Sequence, residues 1–217
     1  LAQAAVAIVA TGTGATAMPP LTWLPLQSVR GQITELPATQ ATRALRAALC
    51  HEGYIAPARA GTHSIGASFN VHVCSALPRA CDNRDNLDKL AAAVPAWRTS
   101  LDALDADALA GRVGYRCTSP DYLPVVGPVP EYDAFVREFD FLRRNARQPI
   151  IQPGRYIPGL YVNTAHGSRG LASTPIAADL LASMLCGEPP PLRRTLCRAL
   201  SPARFIIRDL SRNRRPA

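Results

Sequence analysis

Two short stretches, one near each end of the chain, constrain the fold most. Residues 5–10, AVAIVA, are an uninterrupted apolar run closed by Thr11-Gly12-Thr13-Gly14. A run of that length stopped by turn residues reads as a strand buried on both faces. Such strands belong to parallel sheets with helices on either side, yet no partner helix or strand precedes this one. Towards the other end, Leu160–Thr164 reads as a second buried strand. His166-Gly167-Ser168-Arg169-Gly170 follows as a polar, glycine-rich junction, then Ala172–Cys186 as an apolar helix. Gly187 is a natural residue to end that helix, and Pro189-Pro190-Pro191 is a stiff stop.

Between these pieces the pattern is β-rich. Leu21–Leu36 alternates as a long strand broken at Arg30-Gly31, and residues 49–57 and 62–69 read as two more strands. Asp82–Leu101 reads as a helix with Leu87, Leu90, Val94 and Trp97 on one face and Asp82 or Asn83 as its cap. Arg112–Thr118 is a strand and Ser119-Pro120-Asp121 a turn. Leu123–Val126 is a short strand stopped by Gly127-Pro128. Tyr132–Arg147 is helical, with Phe135, Phe139 and Leu142 on one side. The expected class is mixed α+β and α/β, a β-rich domain set within a nucleotide-binding one. The expected divisions are 1–20, 21–158, 159–192 and 193–217, the last a basic tail.

Charge sharpens that final division. Of 24 basic residues, 23 are Arg and one is Lys89. Residues 193–217 hold eight Arg against one acid, Asp209, and so carry +7 of the chain's net +8. A segment of this kind attracts polyanions by phosphate contact and counterion release; its bland alternative is a solvated tail. Arg193, Arg194, Arg204, Arg208 and Arg212 are the candidate RNA contacts. The six Cys form no CxxC pair, so no metal site is expected, and they read as buried thiols of a cytoplasmic protein. No run is long enough to cross a membrane, and no signal peptide is recognisable.

Three motifs suggest a ligand. The strand, Gly-Ser-Arg-Gly, helix order offers unpaired N–H groups and a positive helix end to an electron-rich partner. Arg30-Gly31-Gln32 places glycine in mid-strand, where a backbone approaches a ligand or simply bulges. Arg116 leads into Thr118-Ser119-Pro120-Asp121, where it would bind a carboxylate or pair with Asp121. The sequence contains no P-loop, HExxH, GxSxG or GxGxxG, so neither nucleophilic catalysis nor a self-contained dinucleotide fold is expected.

In this order, Val9-Ala10-Thr11-Gly12, Arg30-Gly31-Gln32, the block Arg116 to Gly127 and Gly167-Ser168-Arg169-Gly170 resemble the D-amino-acid-oxidase-like flavin oxidoreductases. Ser28–Gln32, Leu49–Tyr54, Ile65–Phe69, Gly167–Leu171 and Leu200–Phe205 narrow the likeness to the FAD domain of the bifunctional tRNA 5-methylaminomethyl-2-thiouridine biosynthesis family. That resemblance implies FAD as cofactor, tRNA as partner, and oxidative removal of the carboxymethyl group from a wobble uridine. It also implies an S-adenosylmethionine-dependent methyltransferase domain and the GxGxxG half of the FAD domain, both outside this chain. Thr11, Gly12, Arg30, Gly31, Gln32, Gly167, Ser168, Arg169, Gly170 and Leu171 would contact the cofactor. Arg116, Tyr54 and His166 would contact substrate, with Arg116 and Arg30 both open as the carboxylate-binding cation. No catalytic base is assigned. The alternatives are a glycine- or sarcosine-oxidase-like fragment and a non-catalytic RNA-binding module.

Overall fold

A computed structural model describes residues 4–71 and 73–213; Arg214 and Arg215 of the basic segment and His72 lie outside the described residues. Among the described residues the strands are β1 (Ala7–Val9), β2 (Gln27–Pro37), β3 (Leu49–Cys50), β4 (Tyr54–Ile55), β5 (Thr62–Gly66), β6 (Gly111–Thr118), β7 (Val125–Pro130) and β8 (Tyr156–Thr164). The α-helices are α1 (Ala80–Ala93), α2 (Arg98–Asp102), α3 (Tyr132–Glu138), α4 (Gly170–Cys186), α5 (Arg194–Leu200) and α6 (Ala203–Ser211). The chain divides into two compact units, residues 1–28 with 116–217, and residues 29–115. Residues 116–158 therefore join the two ends of the chain, because β7 pairs along β8.

In the first unit the sheet order is β1-β8-β7. β1 runs parallel to β8, with Ala7 opposite Leu160 and Val9 opposite Val162. β7 runs antiparallel to β8 and continues through Gly127-Pro128 instead of stopping there. β1 is not buried on both faces: Val9 is, but Ile8 is 46% exposed and Val6, just before the strand, 42%. The core gathers Leu21, Val125, Val129, Phe135, Phe139 and Leu142. Phe135, Phe139 and Leu142 share one side as the spacing predicts, although α3 ends at Glu138 and a 3₁₀ turn carries Asp140–Arg143. α4 ends as expected, at Gly187 with φ of 69°. It lays Ala177, Leu180 and Leu181 on Val126.

The basic segment is not a tail. Its described part folds into α5 and α6, and Phe205, Ile206 and Leu210 enter the first unit's core. Burying each of those side chains contributes roughly 1.5–3 kcal/mol, more than enough to hold a short helix against the core. Ala203, Ile206 and Leu210, spaced by three and four among the arginines, mark it as an amphipathic helix.

The second unit carries the sheet β3-β4-β5-β2-β6. β2 starts at Gln27, after a 3₁₀ turn at Pro19–Leu21, and passes through Arg30-Gly31 without a break. The expected strand 49–57 is a tight hairpin of β3 and β4 turning at 51–53. The expected helix 82–101 starts at Ala80 and breaks at Val94 ahead of Pro95. Leu36, Ile55, Ile65, Leu87, Leu90 and Leu101 form its core, with Val94 and Trp97 packed against them. Neither Asp82 nor Asn83 caps α1. Arg79 stands at that position, and both side chains turn into the interior. No two cysteines are bonded: Cys50, Cys74, Cys81 and Cys186 are exposed and Cys117 and Cys197 half-buried, so the expectation of buried thiols fails. No helix among the described residues is long and apolar enough to cross a membrane.

Candidate functional site

The first unit brings three of the singled-out stretches together. Gly12, with φ of 61°, opens a 3₁₀ turn after β1. Its carbonyl accepts a hydrogen bond from Thr164 Oγ1 at 3.2 Å, at the end of β8. Cys117 Sγ lies 3.5 Å from the same hydroxyl. A Cβ on Gly167 would stand 3.4 Å from the Thr118 methyl. The turn after β1, the end of β6 and the junction before α4 thus meet around Thr164.

That junction is built by backbone geometry. Ala165 and Gly167 both have positive φ, 60° and 57°, on either side of His166. Residues 167–169 form a 3₁₀ turn that feeds directly into α4. No side chain caps α4: Ser173 and Thr174 hydroxyls turn back to the Arg169 and Gly170 carbonyls. The helix end therefore presents backbone donors and its partial positive charge outward. Ser168 and Arg169 are exposed there, and Leu171 is 98% exposed. The residues present fit a flat, electron-rich group approaching the α4 terminus, with glycines where the backbone must be close.

His166 does not offer itself to a substrate. Its Nε2 is 2.8 Å from Asn163 Oδ1 and its Nδ1 is 2.8 Å from Ser173 Oγ. Burial lowers its pKa below the ordinary histidine value. Both nitrogens are occupied, which makes His166 a strut between β8 and α4.

In the second unit, Arg30 corrects the sequence reading most. It is fully buried. Its Nε donates to the Ser75 carbonyl at 2.7 Å and Nη1 to Asp82 Oδ2 at 2.7 Å. Nη2 donates to Gln32 Oε1 at 3.1 Å and the Leu77 carbonyl at 2.8 Å. Gln32 is equally committed, donating through Nε2 to the Arg79 carbonyl and to Asn83 Oδ1. Thr34 Oγ1 also donates to Asn83, and Asn83 Nδ2 donates to the Ala106 and Leu109 carbonyls. Burial raises the Asp82 carboxyl, but hydrogen bonds and charge from Arg79 and Arg30 outweigh it and hold the pKa at about 2. The Arg30 and Gln32 side chains are thus structural, not ligand contacts; Gly31 is buried among them. Tyr54 is half-buried on β4, paired across the hairpin to Cys50.

Asp121, the expected partner of Arg116, has its carboxylate bound by another arginine. That carboxylate is taken by Arg204, whose Nε and Nη2 reach its two oxygens at 2.8 and 2.9 Å. Burial again pushes the Asp121 pKa up. Arg204, the Ser119 hydroxyl and the Leu123 N–H hold it at about 2. Arg204 also donates to the Leu200 and Leu123 carbonyls and lies 4.1 Å from the Phe205 ring centroid. It fastens α6 to the turn after β6 and is removed from the RNA candidates. Arg208 is partly engaged, 3.2 Å from Asp209. Arg193, Arg194 and Arg212 are exposed.

A family model described as FAD dependent oxidoreductase (DAO) matches residues 2–184. The chain belongs to the FAD-dependent oxidoreductases. FAD is the cofactor of that family, and the outward-facing α4 terminus suits it. The chain is similar to the tRNA 5-methylaminomethyl-2-thiouridine biosynthesis bifunctional protein MnmC of Pseudomonas aeruginosa strain UCBPP-PA14, at 46% identity over 99% of this chain and 33% of that protein. MnmC of Pseudomonas putida strain F1 is 43% identical over the same shares. The chain thus spans about a third of the length of these curated relatives. Among solved structures, iminodiacetate oxidase from Chelativorans sp. BNC1 has a TM-score of 0.65 at 20% identity, covering 93% of this chain and 47% of that one. Glycine oxidase from Geobacillus kaustophilus has a TM-score of 0.62 at 19% identity, covering 90% and 44%. These two share the fold. The DAO match ends at residue 184, whereas the MnmC likeness runs on through α5 and α6.

Proposed function

We propose that this chain is the C-terminal part of an FAD-dependent amine oxidoreductase that acts on tRNA. Its reaction removes the carboxymethyl group from 5-carboxymethylaminomethyl(-2-thio)uridine at the wobble position and leaves the aminomethyl base. The observation that carries this reading is the 46% identity to MnmC over 99% of the chain, including the arginine-rich segment beyond the oxidoreductase match.

In this reading residues 1–20 and 159–192 complete the FAD-binding domain and the β-rich middle serves the substrate. The preceding part of that domain, with the dinucleotide-binding glycines, covers apolar surface on the first unit. Val6, Ile8 and Leu171 are exposed there, and a monomer rarely leaves such a set open. Thr11, Gly12 and residues 167–171 hold the cofactor, which when bound supplies the two-electron oxidation. The α4 terminus steadies negative charge opposite it. Gly167 lets the backbone come close, and His166, tied at both nitrogens, keeps the junction in place. With Arg30 engaged inside the second unit, Arg116 is the candidate for the substrate carboxylate. The parent protein would also carry the S-adenosylmethionine-dependent methyltransferase that acts on the product amine.

The test is the visible spectrum of the chain, alone and co-produced with the polypeptide encoded upstream. A flavin band in the co-produced sample, bleached anaerobically by carboxymethylaminomethyl tRNA, is the expected result. Bleaching by free glycine or sarcosine instead overturns the tRNA substrate. No flavin in either sample overturns the enzyme reading.

A further inference from the structure

The first unit holds a cleft of about 790 Å³ between the segment 146–156 and helices α5 and α6. That lies within the roughly 300–1,000 Å³ of ordinary ligand sites. Its floor is aromatic. Phe135 packs against Phe139 at 5.1 Å and edge-on to Tyr156 at 5.1 Å. Tyr156 is 36% exposed. Its wall is cationic. Arg194, Arg198, Arg204 and Arg208 all line it, and no carboxylate does.

The neighbouring acids are already taken: Asp121 by Arg204, Asp209 by Arg208, Glu138 by Arg155 and Asp140 by Arg143. Among the described residues, Arg194 and Arg198 have no ion pair. They stand four apart on α5, where like charges face each other and disfavour the helix. An anion between or beside them removes that cost. Stacking surface and paired cations in one cleft match a base with its flanking phosphates. The cleft also uses α5 and α6, which lie beyond the oxidoreductase family match but within the MnmC likeness.

We propose that this cleft seats an unpaired nucleotide of the tRNA, with its base on Tyr156 and flanking phosphates on Arg194 and Arg198. The proposal rests on the tRNA reading above and adds to it a place where the RNA is held, apart from the α4 terminus.

The experiment is binding of a fluorescein-labelled unmodified tRNA transcript, by anisotropy over a salt series, to the chain co-produced with its upstream polypeptide. Arg194→Ala with Arg198→Ala is expected to weaken binding and reduce the salt slope by about 1.4, for two single-strand phosphates. Tyr156→Ala is expected to weaken binding about 5- to 150-fold with the slope unchanged, as for loss of one stacked base. Tyr156→Phe keeps the ring and is expected to bind as the parent does, which separates stacking from misfolding. Parent-like binding by both the double-arginine variant and Tyr156→Ala overturns the site and leaves the tRNA reading intact. No tRNA binding by the parent overturns both. Binding to phosphatidylglycerol vesicles in place of tRNA assigns the cleft to a lipid surface and also overturns the proposal.

Discussion

Replacing Arg30 by Met tests the reassignment of that arginine from ligand contact to internal strut. The substitution keeps an apolar stem of similar reach and removes four donated hydrogen bonds, to Ser75, Asp82, Gln32 and Leu77. Asp82, with a side chain 5% exposed, keeps only Arg79 and Asn70 as partners. Breaking one side of a buried ion pair costs about 3–5 kcal/mol. In a unit of about 90 residues each kcal/mol moves the melting point by roughly 4–8 °C, so a fall of more than 10 °C is expected. The assay reads one unit at a time, because the chain has two tryptophans, one in each unit. In a Trp23→Phe background, Trp97 packs against the second unit's core and reports its unfolding alone. Adding Asp82→Leu to Arg30→Met removes the stranded carboxylate and is expected to recover part of the loss. An Arg30→Met protein that melts within about 0.5 kcal/mol of its parent, or a double variant whose losses simply add, would refute the strut.

Acid should loosen the same unit. The Asp82 pKa is depressed, from 3.8 to about 2, so its contribution is fully present above about pH 4 and lost as pH falls towards 2. That shift is worth about 2 kcal/mol. The Trp97-monitored denaturant midpoint should decline across that window, and Asp82→Asn should flatten the decline. In the first unit, Arg204→Ala should release α6 and cost about 2–4 kcal/mol in a melt followed by Trp23 fluorescence. A loss of tRNA affinity without loss of stability would return Arg204 to the RNA contacts. Gly167→Ala forces a side chain onto a residue at φ of 57°. It should cost roughly 1–2 kcal/mol locally and lower flavin content in the co-produced protein while the Trp97 transition stays put.

Much of the fold was legible because it depends on local pattern. The apolar run before Thr11, the glycine-rich junction before α4, the stop at Gly187 and the face of Leu87 and Leu90 all follow from residue order and periodicity. The glycines of the junction were readable as a candidate site for the same reason, since a strand, a turn without a cap and a helix start are written consecutively in the chain. Partner choice was not legible. Arg30 and Asp82 are 52 residues apart, and Arg204 and Asp121 are 83 apart. Nothing in the spacing of an arginine says whether it meets solvent, a substrate or a carboxylate brought near by folding.

The same limit explains the basic segment. Its charge pointed to a polyanion partner, and the charge remains, but three apolar residues among the arginines drew the helix onto the core. Residue order was enough to place turns, helix ends and strand runs, because backbone preferences act over a few neighbours. Packing alone decided which cations were consumed inside the protein and which face outward, since that depends on distances no local pattern contains.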